Sequence, residues 1–457
     1  MSKIEVNTVE PQCGTTLTLG GSGDTVSLGS GASQSGFGRT GTVDWVTTIQ
    51  TSTITVADGK GYFVNTTGGA ITANLPAGAA GKICAFKDYL NTWDSNALTV
   101  SPNGSDKIGG AASDAIFNTE SQSVTLIYTD STRGWIDIHD STSNAEGATF
   151  ITATVSGSGN TLTTVCTDYK VAKFTGPGTF TVCSVGNAGG SNTVSYMVVG
   201  GGASGGMTAA GGGGAGGFRE GRTPQCNTWT ASPLACTSGS NNGLPVSAQG
   251  YPIVVGAGGA GTTTNPSPGS PGNVSSFSTI SSAGGGSGGG GSGPGSGTAA
   301  GSGGSGGGGQ AGATPANPAG GAGNTPPVSP PQGSAGGSSP NPSGGPAYAG
   351  AGGGGATAAG QNGSGSPPYG DGGAGATTSI SGTPTAYAGG GGGSADANNP
   401  GEALGGTGGG GVGGIASVRC AGAGTINTGG GSGALAHNNS SAVAGGSGIV
   451  IIRYKFQ

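Results

Sequence analysis

The chain has 457 residues, of which 110 are glycine and 25 proline, while only 7% are charged and the formal net charge is -5. Glycine and proline together make up nearly a third of it, a share usually met in low-complexity chains; yet disordered chains stay soluble through many charges and little apolar content, and here 32% of residues are hydrophobic and clustered. Lys and Arg are scattered singly, leaving no basic stripe to neutralise a phosphate backbone, so nucleic acid is not an expected partner, and the length calls for two or three domains.

Residues 1–42 contain period-two runs, Lys3-Ile4-Glu5-Val6, Thr16-Leu17-Thr18-Leu19 and Gly23-Asp24-Thr25-Val26-Ser27-Leu28, which read as short strands. Glycine and serine interrupt them so often that one copy buries little. Identical strands wound about one axis bury more, which predicts an intertwined stem in a homotrimer. No apolar run of signal-peptide length follows Met1-Ser2-Lys3, so neither a secretory signal nor an anchor is expected. Assembly in a cytoplasm and release by a route such as cell lysis follow from that reading.

Residues 43–145 have the apolar density of a folded β domain. Runs at 53–56, 62–64, 70–75, 83–89, 97–100, 123–128 and 134–138 are separated by turn signals such as Asp58-Gly59, the pattern of a sandwich or small barrel. Trp45, Trp93, Trp135 and Phe117 are read as core or interface residues.

From residue 146 the character changes. Tyr169-Lys170-Val171-Ala172-Lys173-Phe174, the turn Gly176-Pro177-Gly178 and Thr179-Phe180-Thr181-Val182 look like a hairpin, and Ser195-Tyr196-Met197-Val198-Val199 is a strand that runs straight into glycine. Glycine runs such as 211–214, 288–291, 306–309, 352–355, 389–393 and 408–411 dominate residues 200–448. The chain ends on Ile449-Val450-Ile451-Ile452-Arg453-Tyr454-Lys455-Phe456, a strong strand. Pairing of that strand with 196–199 makes the tract an insertion whose ends meet, and structureless insertions of such length are rare in compact domains.

An ordered tract is therefore expected, although fixing a backbone costs about 1–2 kcal/mol per residue and glycine loses the most freedom. The source of order left to it is backbone hydrogen bonding between close-packed extended three-fold helices, that is, polyglycine II. The expected fold is all-β: an elongated homotrimeric fibre with an intertwined stem (1–42), a β-sandwich-like module (43–145) and a glycine-rich domain (146–457). Within that domain strands occupy 146–199, packed polyglycine II helices with loops 200–448, and the closing strand 449–457.

This alternation of glycine runs with loops rich in Pro, Asn, Ser, Thr and Tyr resembles the glycine-rich distal adhesins of tailed phages, where a polyglycine II bundle carries host-recognition loops. Val56-Ala57-Asp58-Gly59-Lys60-Gly61-Tyr62-Phe63-Val64, Ala85-Phe86-Lys87-Asp88-Tyr89, Leu126-Ile127-Tyr128, the Phe174 to Val182 pattern and the ending Gly448-Ile449-Val450-Ile451-Ile452-Arg453-Tyr454 are similar to tail-fibre-like proteins of marine and cyanobacterial phages. The resemblance implies a virion tail fibre joined to other virion proteins through its N-terminus, with its loops turned to a host receptor, an outer-membrane protein or a polysaccharide.

The receptor-contact candidates are Asn227, Trp229, Tyr369, Tyr387, Asn398 and Asn399. Trp229, in the polar loop 223–243, has the character of an exposed aromatic anchor, its alternative being to fold back over bare glycine backbone. Cys226 and Cys236 in the same loop are a candidate disulfide, worth about 2–3 kcal/mol if the geometry fits. Two thiols are the alternative in a reducing cytoplasm.

Catalytic signatures are missing from this sequence. His139 and His437 lie far apart, no His/Cys cluster has metal-ligand spacing, and the glycine strings lack a Gly-Lys-Ser/Thr ending. Asp114, Glu120, Asp130, Asp137 and Asp140 make a glycosidase pair only if the fold gathers them. No enzyme activity, cofactor or metal is expected. The alternatives to an adhesin are a structural virion fibre or capsid decoration protein without host binding and, further off, a polysaccharide depolymerase or an ice-binding protein.

Overall fold

The computed structural model describes residues 42–142, 148–186, 190–226, 228–236, 243–263, 267–291, 297–311, 319–339, 349–364, 369–397, 401–437 and 443–457. The expected stem lies outside them except for Thr42. Two compact units form, Met1–Ala145 and Glu146–Gln457. Among the described residues all regular structure is β apart from one 3-10 turn, Pro224–Cys226.

The first unit carries β1 (Asp44–Gln50), β2 (Ile54–Thr55), β3 (Lys60–Val64), β4 (Ile71–Asn74), β5 (Ile83–Asp88), β6 (Leu98–Ser101), β7 (Ala115–Phe117), β8 (Ser123–Tyr128) and β9 (Trp135–Ser141). They form two sheets, β1-β3-β5-β8-β9 and β2-β4-β6-β7, which enclose one core. Successive strands up to β6 go to opposite sheets. Each therefore lands beside the strand two before it, and β1, β3 and β5 pair in parallel, as do β2, β4 and β6.

Period-two alternation sorts the side chains: along β8, Val124, Leu126 and Tyr128 enter the core and Ser123, Thr125 and Ile127 do not. Trp93 and Trp135 are fully buried. At the end of β5 the buried Asp88 carboxylate accepts the backbone N–H groups of Thr92, Trp93 and Ser121, each at 3.1 Å. A buried charge needs that compensation.

The second unit opens with β10 (Thr152–Ser156), β11 (Thr161–Val165), β12 (Tyr169–Phe174), β13 (Gly178–Ser184), β14 (Thr193–Val199), β15 (Phe218–Gly221), β16 (Ala235–Cys236), β17 (Leu244–Pro245), β18 (Gly250–Val254), β19 (Ser275–Phe277) and β20 (Ile280–Ser282). Two short pairs, β21 (Gly290–Gly291) with β22 (Gly297–Thr298) and β23 (Ala376–Thr378) with β24 (Thr385–Tyr387), precede the closing β25 (Ile449–Lys455). The sheets β10-β13-β18-β19-β20 and β11-β12-β25-β14-β15-β16 pack on a core of Phe174, Phe180, Tyr251, Phe277 and Tyr454.

The hairpin read at 169–182 does not form, because β12 belongs to one of these sheets and β13 to the other. Phe174 and Phe180 both enter the core between them, so the Gly176-Pro177-Gly178 segment is a corner. Asn160 holds it, its Oδ1 accepting the N–H groups of Thr175 and Gly176.

β25 lies between β12 and β14, with Tyr196 opposite Ile452 and Val199 opposite Ile449. It is covered on both faces. Val450, Ile452 and Tyr454 join the inter-sheet core, while Ile449 and Ile451 pack on the other side with Met197, Val199 and Phe218. A central strand buried on both faces needs a continuous apolar run, which is what Ile449 to Ile452 provide.

Between β14 and β25 the glycine runs are joined laterally by backbone hydrogen bonds. Residues 211–217 form the clearest case. Gly211, Gly214 and Gly217 donate to Gly289, Gly286 and Ala283; Gly212 and Ala215 donate to Ala351 and Gly354; Gly213 and Gly216 donate to Ser432 and Gly429, all at 2.8–3.0 Å. The direction of donation thus turns with a period of three. The same run accepts bonds from residues of 200–206, 301–309 and 388–394, so six neighbours surround it. At its glycines a side chain has no room: a Cβ on Gly212 or Gly213 would stand 2.1 or 2.2 Å from the carbonyl oxygen of Gly391 or Ala203.

Candidate functional site

The segment 222–236 leaves β15 and returns as β16, which pairs in parallel with β15. It lies over the face of β14 and β25 that carries Met197, Val199, Ile449 and Ile451. Trp229 and Tyr387 are brought together in that cluster and are only 6% and 5% exposed. As contact candidates both are therefore corrected: neither ring is an exposed platform. The glycine runs bring only alanines such as Ala215 and Ala356 to the apolar outer face of the sheet, and Trp229 and the β23–β24 pair supply the larger side chains that cover it.

Polar groups fasten this cover. The buried Glu220 carboxylate accepts the Ser232 N–H at 2.7 Å and the Thr378 hydroxyl at 2.5 Å, tying β15 to the segment and to β23. Burial raises the Glu220 pKa, against the pull of those hydrogen bonds and of Arg222. Arg453, also buried, donates to the Ile380 carbonyl and the Thr228 hydroxyl and lies over the Tyr169 ring at 5.0 Å.

The candidate disulfide is not formed; Cys226 and Cys236 both carry thiols. Cys226 is buried beneath the segment, where burial pushes its thiol up against the pull of the Arg453 guanidinium. Cys236 instead lies on β16 beside a cavity of about 60 Å³ lined by Tyr196, Arg219, Glu220 and Pro330. The local spacing permits a bridge, but the two thiols are committed to different surroundings.

At the end of the glycine runs away from β14, β15 and β25, the described residues meet in a terminal layer. Met207 bridges Leu435, Ala349 bridges Ala395, and Ala395 bridges Ile415. Gly291 donates to Met207, Ala311 to Ala209, and Ala210 to the Ser394 hydroxyl. These residues lead into 292–296, 312–318, 340–348, 398–400 and 438–442 from one side of the bundle. Met207 and Leu435 pack together as a small apolar cap.

Tyr369 belongs to the same region. Its half-buried ring covers Gly401, where a Cβ would stand 1.9 Å from it, so the chain beyond 365–368 meets the chain beyond 398–400. Asn227, Asn398 and Asn399 lie outside the described residues. Nearby, Arg419 pairs with Glu402, and Asp371 accepts the Leu404 N–H at 2.7 Å. Neither pair carries a motif that sequence reading could have found. An open cavity of about 420 Å³ runs along Ala358, Gly360, Gln361, Asn362 and Ser364. Such a layer can offer amides, hydroxyls, an aromatic edge and single charges to a polar surface.

Three of the five acidic residues considered for a glycosidase pair have hydrogen bonds of their own. Asp114 accepts the Ser101 hydroxyl and Asp140 the Gln122 amide. The Arg133 and Thr132 N–H groups, both at 2.8 Å, hold the Asp130 carboxyl below its usual range.

Comparison with known proteins finds two family matches. The glycine-rich domain family matches residues 174–455, and the family of bacteriophage T4 gp9/10-like proteins, N-terminal part, matches residues 21–137. Among individual relatives, baseplate wedge protein gp10 of Enterobacteria phage T4 is 33% identical over 79 residues, which is 17% of this chain and 13% of that protein. With more than half of its length covered by the first match, the chain belongs to the glycine-rich domain family, joined here to a module like that of T4 gp9/10-like phage proteins.

Proposed function

We propose that this protein is a phage tail fibre or receptor-binding protein, a homotrimer held to the virion through its N-terminal region, whose glycine-rich domain presents loops for adsorption to the host surface. The observation that carries the proposal is the terminal layer: Gly291, Ala311, Ala349, Ala395 and Leu435 gather at one end of the bundle, each within a few residues of 292–296, 312–318, 340–348, 398–400 or 438–442. Loops held on a rigid scaffold are where recognition is usually built. The glycine runs are polyglycine II helices in this reading. The period-three turn of hydrogen bonds along 211–217, with no positive φ among those residues, supports that geometry.

The reading assigns no catalysis and no cofactor. Its virion location rests on the similarity to phage baseplate and tail proteins. That same similarity favours a second reading, a purely structural virion component. The two separate in a competition experiment: purified protein added to host cells should block adsorption of the phage, and replacing 365–368 and 398–400 by glycine-serine linkers of equal length should abolish the block without changing the thermal transition. Protein present in the particle that never binds cells would favour the structural reading.

A further inference from the structure

The β1-β3-β5-β8-β9 sheet fills the core with its inner face, and its outer face exposes aromatic side chains beside β1. Register sets Trp45, Gly61, Ala85, Thr125 and His139 in one row across it. Trp45 lies over Gly61, so near that a Cβ there would come within 2.8 Å of the ring. Its ring packs tilted against Phe63 with centroids 4.8 Å apart, and Phe63 meets Tyr89 edge-on at 6.5 Å. Trp45 is 42% exposed, Tyr89 47% and the adjoining Leu90 51%. Lys87, beside Phe63, directs its ammonium to the Ser121 carbonyl at 2.6 Å, and Lys60 pairs with Asp44 at 3.8 Å. An aromatic stripe results, flanked by Lys87 and the Lys60–Asp44 pair and bordered by β1, the edge strand among the described residues.

We infer that this stripe is the surface through which copies of this chain associate. Residues 1–41 lead directly into β1, and Trp45 is the first large apolar side chain on that strand. In their sequence, period-two runs are broken by glycine and serine, a pattern that buries little in a single copy. Copies gathered through those residues have their β1 strands delivered to one place, and the stripe is the apolar area that starts there. The inference rests on the trimer in the proposed function and names its contact.

The test uses the full chain. Sedimentation should give about three times the 42.3 kDa chain mass; a single-chain mass at micromolar concentration overturns the trimer and this contact together, leaving the receptor proposal untouched. Within one chain Trp93 and Trp135 are fully buried and Trp229 is 6% exposed, so Trp45 is the tryptophan that acrylamide reaches. Comparison with Trp45→Phe isolates its emission. Shielding in the trimer and quenching after dissociation by dilution are expected. A trimer with Trp45 freely quenched overturns the contact while the trimer stands; shielding that persists in dissociated chains assigns the cover to the chain's own first residues and also overturns it. The double variant Trp45→Ser, Tyr89→Ser should fall to single-chain mass with an unchanged circular dichroism spectrum, whereas Ile426→Ser, at a 70% exposed position of the other unit, should remain trimeric. A double variant that stays trimeric overturns the inference, and should it fail to fold, the quenching of the unaltered chain still decides.

Discussion

In the first unit Phe86, Trp93, Leu98 and Trp135 fill the space between two sheets, and Gly68 has nothing within 4 Å of where a Cβ would stand. In the glycine bundle of the second unit a Cβ on Gly213 would come 2.2 Å from the Ala203 carbonyl oxygen. One region is ordered by what its side chains bury, the other by the closeness of backbones that have none. Each hydrogen bond contributes about 1 kcal/mol net, roughly what ordering a residue costs, so a glycine run holds only where its N–H and C=O groups are both used. That explains why the bundle is anchored to a conventional side-chain core at β14 and β25.

The anchor gives the largest expected effect. Ile449, Val450, Ile451 and Ile452 are buried, and at about 1.5–3 kcal/mol each they supply an amount comparable with the whole stability of a domain. Deleting 449–457 should therefore unfold the glycine-rich unit and remove its protease-resistant fragment; an unchanged fragment would show that the bundle stands without its anchor.

Next comes the cover over that anchor. Trp229→Ala should cost about 3–5 kcal/mol, seen as a lowered melting temperature, while folded protein keeps its adsorption to cells. A variant with native melting behaviour and lost adsorption would instead place the indole at the receptor.

The comparison of glycines is sharpened by two alanines. Gly213→Ala should cost roughly 1–3 kcal/mol through overpacking, and Gly68→Ala should stay within about 0.5 kcal/mol of the parent. Equal effects in chemical denaturation would erase the distinction between the units.

The smallest effect concerns Glu220, whose folded pKa is raised by burial. Its charged form burdens the folded state, so its contribution to stability is full below the unfolded value of about 4.3 and is lost as pH rises through the higher folded value. Melting profiles of Glu220→Gln should lack that loss; a profile parallel to the parent's would place the pH dependence elsewhere.

Much of this was readable in the sequence where the signal is local. The run Ile449 to Ile452 has no period, which fits a strand covered on both faces, and its pairing with 196–199 follows from where the glycine tract begins and ends. Alternation along 123–128 gave β8 directly. Other features depend on distant parts of the chain. Trp229 sits among Thr, Asn and Pro, and the sequence leaves an exposed anchor and a cover over bare backbone both open, because the face of β14 and β25 that it covers is remote in sequence. The spacing of Cys226 and Cys236 is local, but the burial that separates their roles is not. The corner at Gly176 looks like a hairpin turn until Phe174 and Phe180 are seen to need the same core. The parallel pairing of β1, β3 and β5 likewise has no signature in alternation alone.

Amide hydrogen exchange across 211–217 tests the central claim most directly, since these residues offer almost no side chains to bury and nearly all of their predicted order comes from bonds to the segments around 286, 351 and 432. Protection of Gly212, Gly213 and Gly214 close to that of the β25 amides is the expected result, because both should open only with the whole unit. Exchange at the rate of an unstructured glycine peptide, with β25 still protected, would contradict it.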